Sequence, residues 1–493
     1  MVLFFATVLA AEHFGGFAFY TGDLHVHTGI SGDGGSSDLD NCRNEDCGNL
    51  HEVVQHAKDQ ALDFVSITDH VNNDLAGEAD LWQSELEQVL AGNAPDAGFV
   101  TIPGAEVHFT MEDGTPIGHK NLFFFGDDIQ LSTLTMEDTR FDGDGAAVDS
   151  CEAIWDWAQQ LQAAWGPVML IPHHTAGVSP MRTSWDCHDP IFQPGAEIYS
   201  EHGNSLSDDG YDPPWSSTVA SGWVDFAIDP AGLAHQLAFF GSTDTHDTWP
   251  GKTCDYAGQG YGGGLAVVVL EEGEIFERSA IHDAVLDRRT YATSGPRVPV
   301  VLTWLADGVE IGGLGDHVTV VDGEVLEARV VLPEEVVPHV VGVDLVTPDD
   351  EHVATVDGNV WTHSFESLPI YAYVRVRLEG VGYWGPEGCD DAGASTEERL
   401  WLSPSWFTQE PAQPVDSDPP PVVDTSGFDT DPPVDTEPTV DSDPPEPIDR
   451  GQPDDGVAVD PEVSISPRCG GCGGAGAGIW ILGLVALLRR REG

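Results

Sequence analysis

The residues best suited to chemistry open near the start of the chain, in the run Thr21-Gly-Asp-Leu-His-Val-His-Thr28. Two imidazoles two residues apart on an extended strand point to the same face. His25 and His27 therefore offer two nitrogens to one point, which is what a divalent metal needs. A His-x-His pair alone is weak evidence, because most such pairs are ordinary core or surface histidines. Its meaning depends on what else the chain supplies. Partners recur at intervals: Thr68-Asp-His70, Gly104-Ala-Glu106, His119, Pro172-His-His174, Glu201-His202 and Asp244-Thr-His246.

The flanking elements follow a regular grammar. Helical spacing of apolar residues over 50–62, 81–90, 151–164 and 274–288 alternates with short apolar runs at 64–67, 99–102, 121–125, 168–171, 196–200, 237–241 and 264–270. That alternation predicts an α/β fold with a parallel sheet. Most polar clusters fall just past the end of an apolar run, where parallel barrels place their active sites. The Gly/Ser/Asp-rich stretch 29–48 reads as a loop and contains Asp33. From 297 the grammar changes to β-rich runs at 298–304, 318–321, 327–331, 341–346 and 372–378, which predict an antiparallel sandwich over 297–407.

The ordered set His25-Val-His27, Thr68-Asp-His70, Gly104-Ala-Glu106, Pro172-His-His174 and Asp244-Thr-His246 resembles the PHP (polymerase and histidinol phosphatase) superfamily. The phrases 197–204 and 289–297 look like a bacterial branch of it that carries an appended β-domain. The resemblance covers 20–296 strongly and 297–407 loosely. It implies a distorted (β/α)7-type barrel with two or three divalent ions (Zn, Mn or Fe) at its mouth. It further implies His25 and His27 on one metal with Asp244, Glu106 bridging two metals, and His70, His119, His173 and His246 completing the set. Asp33 stands near the place where the family often has another histidine; a carboxylate there shifts preference toward harder metals such as Mn²⁺. Asp69 would orient its neighbour from behind the ligands. Asp244, His246 and Glu106 would act in catalysis through the metals, and no Ser or Cys nucleophile is required.

The implied activity is a phosphoesterase-type hydrolysis of a small phosphate ester. For such a substrate Lys120, Arg182, Arg289 and Arg297 are the available cations, with His202 and Asn204 as further contacts. Each cation reads equally well as a surface ion pair, His202 and Asn204 as turn caps, and His174 as a ligand or a backbone partner. Two other functions stay open on the same residues: a metal-stabilised surface module without catalysis, and an amidohydrolase-like hydrolase of C–N or ester bonds.

Composition narrows the setting. The 493 residues carry 19 Lys+Arg against 84 Asp+Glu, a formal charge of −65, which disfavours nucleic acid as a partner. Eight cysteines are present, and an even number outside the cytoplasm suggests disulfides; Cys42 and Cys47 could close a small loop, while Cys151, Cys187, Cys254 and Cys389 cannot be paired from sequence. Residues 1–11 (MVLFFATVLAA) resemble a signal peptide without its basic start. Residues 408–467 form an acidic, Pro-rich linker expected to be disordered. Residues 468–493 combine a Cys-Gly-Gly-Cys motif, a short apolar stretch and Arg489-Arg-Arg491, similar to the C-terminal sorting tails of myxobacterial-type surface proteins. The expectation is an exported protein whose tail engages the membrane or sorting machinery.

Overall fold

Residues with both sheet faces covered become continuous apolar runs, and the strands Phe64–Ile67 and Val168–Pro172 are buried along their whole length. The computed structural model describes residues 12–31, 53–71, 78–141, 147–177, 181–214, 216–246, 249–253, 262–380 and 397–412. All of them lie in one compact unit, Met1–Val415. Asp33, the leader, most of the linker and the tail fall outside the described residues. No described helix is long and apolar enough to cross a membrane.

The architecture is mostly β, and the expected (β/α)7 barrel is not present. Among the described residues there are six α-helices. Only Glu78–Gly92, Cys151–Trp165 and Arg278–Leu286 exceed two turns, so most strand pairs have no crossover helix. Phe17–Asp23, Phe64–Ile67 and Val100–Met111 do pair in parallel. The sheet then continues antiparallel through Pro116–Phe124 to Val168–Pro172. On its other side Leu265–Glu271 pairs antiparallel with Phe17–Asp23, followed by Thr290–Thr293 and Glu397–Leu402. The path runs open from Val168–Pro172 to His317–Val321 and does not close. Gly195–Ser200 and Ala238–Gly241 pair in parallel in a separate sheet. The reason for the difference is physical. A four-residue apolar run announces a buried strand but carries no information on the direction of its neighbour.

Strand length also departs from expectation. Val100–Met111 is 12 residues long, so Glu106 sits within a strand and not beyond its end. Ala105, Val107 and Phe109 face a core made with Leu122, Phe124 and Ile154, while Glu106 and His108 take the opposite face.

Beyond residue 297 a five-stranded antiparallel sheet is formed by Val309–Gly313, Val301–Ala306, Leu326–Val331, Val360–Ser364 and Thr355–Asp357. Its inner residues Trp304, Val330 and Trp361 pack on Leu345, Val374 and Leu400. That second layer is not a free-standing sheet. It is the continuation of the long sheet, entered where Thr290–Thr293 pairs with Glu397–Leu402.

Candidate metal centre

Backbone pairing brings the two most distant motifs together. Val26 and Thr245 form a parallel bridge, with His27 N donating to Thr245 O at 3.0 Å and Asp244 N to His25 O at 2.8 Å. Side chains two apart share a face, so His25, His27, Asp244 and His246 converge. Asp23 fastens this junction: its buried carboxylate accepts from His25 N at 3.3 Å, Thr243 N at 3.0 Å and Gly251 N at 2.8 Å. A second bridge pairs His70 with Glu106.

At the floor lie His25, His27, Glu106, His173 and Asp244, all buried. The Nε2 atoms of His25 and His27 are 3.1 Å apart. Asp244 Oδ1 stands 3.2 Å from the first and 3.3 Å from the second. Glu106 Oε2 stands 3.3 and 3.1 Å from the same two nitrogens. Metal bonds of about 2.0–2.1 Å in tetrahedral array put neighbouring ligand atoms roughly 3.3–3.4 Å apart. The observed spacings match that edge length closely.

The hydrogen bonds behind the rings set the tautomers. His25 Nδ1 donates to Glu197 Oε2 at 2.9 Å. Ser31 Oγ donates to Asp69 at 2.5 Å, so it accepts from His27 Nδ1 at 3.0 Å and from His70 N at 2.9 Å. In their neutral forms both rings would then turn Nε2 lone pairs toward each other, the donor arrangement a metal ion uses. Asp69 thus orients His27 through Ser31, and it also accepts from Thr28 N at 2.6 Å.

Glu106 presents its two oxygens to different groups. Oε1 meets His119 Nδ1 at 2.6 Å and His173 Nε2 at 2.9 Å, while Oε2 meets His25, His27 and His70, the last at 3.5 Å. Asp244 divides likewise: Oδ2 lies 2.9 Å from His174 Nε2 and 3.4 Å from His202 Nε2. His246 Nδ1 lies 3.1 Å from Glu201 Oε1. These residues fall into overlapping groups of three able to hold a metal ion, among them His25/His27/Asp244, His25/Glu106/His173 and His27/His70/Glu106.

The electrostatics have the same character. Burial opposes charge on His25 and His27, yet Asp244 and Glu197 hold His25 well above its usual range. Asp244 and Glu106 carry His27 up to about 10. Burial works against the charges of Glu106 and Asp244 too, and the surrounding imidazoles more than offset it, keeping both well below the carboxylate norm. By contrast burial drives His173, His174 and His202 down to about 3, leaving neutral rings fit to ligate. His25 and His27 thus answer the carboxylates with charge of their own, while His173, His174 and His202 stand beside them as neutral nitrogen donors.

Three of the four cations named from sequence, Lys120, Arg289 and Arg297, are engaged elsewhere. Lys120 is fully buried on the strand face opposite His119, where its Nζ donates to Gln193 Oε1 at 2.7 Å and burial lowers it to about 7. Arg289 pairs with Glu274 and Asp287. Arg297 donates to Ala61 O at 2.7 Å. Arg182 packs its side-chain Cγ against Gly222. Asn204 holds a turn, accepting from Leu206 N at 2.8 Å and donating to Ser207 O. His202 is the one proposed substrate contact that reaches the cluster.

Sequence reasoning gave no role to Asp23, Ser31 and Glu197, and noted Glu201 only as part of the Glu201-His202 cluster. Glu197 could have been noticed, as a carboxylate inside an otherwise apolar strand, Gly195–Ser200. Asp23 and Ser31 carry no such signal. Among the described residues a disulfide, Cys151–Cys187, joins the start of the Cys151–Trp165 helix to the segment before Gly195–Ser200.

Comparison with known protein families and with characterised proteins finds no match for this chain.

Proposed function

We propose that this protein is an exported, metal-dependent hydrolase of the phosphoesterase type, akin to the PHP superfamily in its ligand set though not in a barrel architecture. The observation that carries the reading is the pair of buried carboxylates, Glu106 and Asp244, each set with its two oxygens toward different histidines. Such carboxylates suit a multinuclear centre, and His25, His27, His70, His119 and His173 are the residues that would hold it. Divalent ions bound there supply Lewis acidity and a nucleophilic water near neutral pH.

The chain's own part is positional. Glu197 and Ser31 fix the His25 and His27 tautomers, Asp23 locks the two motif-bearing segments in register, and the buried floor keeps bulk water from the ligands. His70, His119 and His246 are each about one-fifth exposed, so the cluster has a solvent side from which a small substrate can approach. Since Lys120, Arg289 and Arg297 are engaged elsewhere, negative charge on the substrate would be met by the ions themselves. The Cys151–Cys187 disulfide supports an oxidising, extracytoplasmic setting.

The test is turnover of phosphomonoesters, phosphodiesters, carboxyl esters and amides by protein supplied with Mn²⁺ or Zn²⁺. Phosphoester hydrolysis should appear and fall at least about 10³-fold in His25→Ala and Asp244→Ala, as expected for groups that hold the ions. Turnover confined to amides or carboxyl esters would move the protein to the amidohydrolase-like reading. A chelator that lowers the melting temperature with no hydrolysis under any metal would leave a metal-stabilised surface module.

A further inference from the structure

The Oδ2 side of Asp244 stands apart from the rest of the cluster. Its neighbours there, His174 and His202, lie outside the set His25, His27, His70, His119 and His173 that gathers around Glu106. His174 reads from sequence as either a ligand or a backbone partner. In the fold its carbonyl accepts from Gly177 N at 2.8 Å while its Nε2 is turned to Asp244 at 2.9 Å. The His174 and His202 rings lie 4.4 Å apart at 76°. One ligand atom from each of His174, His202 and Asp244 lies within 4.8 Å of the other two.

Two further observations single this locus out. Both oxygens of Asp244 are buried, and neither accepts a hydrogen bond. Four imidazole nitrogens come within 2.9–3.4 Å of them, near the spacing of ligand atoms around a shared ion. A buried carboxylate without hydrogen bonds is costly unless a cation completes it. This holds at Oδ2 as much as at Oδ1. The backbone agrees: His174 has φ 47° and Asp244 φ 55°, the left-handed region that non-glycine residues seldom adopt. Two residues whose side chains meet each other are both held there, as happens where a site's geometry is imposed by the surrounding fold.

We propose that His174, His202 and Asp244 Oδ2 form a separate divalent-cation site, with Asp244 as a second bridging carboxylate beside Glu106. Two imidazoles and a carboxylate suit zinc or another first-row divalent ion. Three protein donors leave a position open, as in sites that take an exogenous ligand. His174 and His202 are 11% and 18% exposed, so the open position is on the solvent side. An anionic oxygen ligand such as a phosphate group is the chemistry that fits it. The role in substrate capture rests on the hydrolase reading above; the existence of the ion does not.

The experiment is metal counting on the full chain by plasma mass spectrometry, paired with anomalous diffraction from wild-type crystals grown with Zn²⁺. The wild type should show an anomalous peak at Asp244 Oδ2 distinct from the one at Oδ1. The His174→Gln/His202→Gln double variant should lose one metal equivalent and keep those of the His25–His27–Glu106 side. Inorganic phosphate should bind the double variant at least tenfold more weakly in calorimetry. A wild-type map without the Oδ2 peak overturns the site, even if the variant fails to fold. An unchanged metal count in a folded double variant overturns it as well, and loss of all metal overturns its separateness. Unchanged phosphate affinity with one ion lost overturns the capture role alone. Absence of hydrolysis with the ion present counts against the hydrolase reading and leaves the site standing.

Discussion

Asp244 and Asp344 are both fully buried carboxylates, one in the histidine cluster and one in the β-rich region, and they are neutralised in opposite ways. Asp344 is clasped by two guanidiniums: Arg375 reaches it through Nε at 3.2 Å and Nη2 at 3.1 Å, and Arg377 through Nε at 2.7 Å. Asp209, Glu397 and Glu351 extend that network through Arg375, Arg377 and Arg399. Every charge there has a partner from the chain itself. Asp244 meets only imidazoles: His25 and His27, both held high, at Oδ1, and His174 and His202, kept neutral by burial, at Oδ2. A carboxylate satisfied by arginine serves the fold, whereas one set among imidazoles has the donor set that could hold a metal ion. A third case completes the contrast. Asp63 accepts from Thr21 N at 2.7 Å but receives no guanidinium hydrogen bond, because Arg297 donates to Ala61 O instead. Burial pushes it up to about 7 against the pull of Thr21 and Arg297, so a proton neutralises it.

The comparison is broken most severely by removing a guanidinium. Arg375→Met should destabilise the protein by ~3–5 kcal/mol, since it strips a partner from a buried charge, while metal content stays at the wild-type value. Denaturant melts with metal analysis check this, and a loss of metal would erase the distinction between the two regions.

Asp63 gives the next effect. Its carboxyl titrates near 3.9 in an unfolded chain and near 7 in the fold. Between those values the folded state holds a proton that the unfolded state lacks, so the contribution to stability is present below about pH 4 and is lost as pH rises through 7. Asp63→Asn keeps the fold neutral at every pH. At ~1.4 kcal/mol per unit, the variant should gain roughly 4 kcal/mol on the wild type between pH 4 and pH 8. Equal pH profiles for the two proteins would show that Asp63 is not proton-neutralised.

The smallest change sharpens the metal side. Glu197→Gln preserves size and a hydrogen-bond acceptor toward His25 Nδ1 but removes the charge. Losing a carboxylate behind a ligating imidazole weakens metal binding by about 10- to 100-fold. Competition with a chelator of known affinity would measure it, and the melting temperature without metal should move little.

The sequence by itself determined the chemistry of the site. His25, His27, His70, Glu106, His119, His173, Asp244 and His246 converge in the fold, because residue type and a two-residue repeat on extended chain already specify which groups can ligate and which face they take. The short apolar runs likewise announced the buried strands at 64–67 and 168–171. The sheet's topology was decided only in three dimensions. Whether Val100–Met111 is followed by a crossover helix or by an antiparallel neighbour depends on pairing energies between segments, and four buried residues look alike in either case. The same holds for Lys120 and Arg297, whose partners Gln193 and Ala61 lie 73 and 236 residues away. Burial and long-range partners turned Lys120 into an interior hydrogen-bond donor and tied Arg297 to a distant backbone carbonyl. They also turned His174, undecided between two roles in the linear chain, toward the second oxygen of Asp244. A side chain's identity is local, but the charge it must balance is set by whatever the fold brings against it.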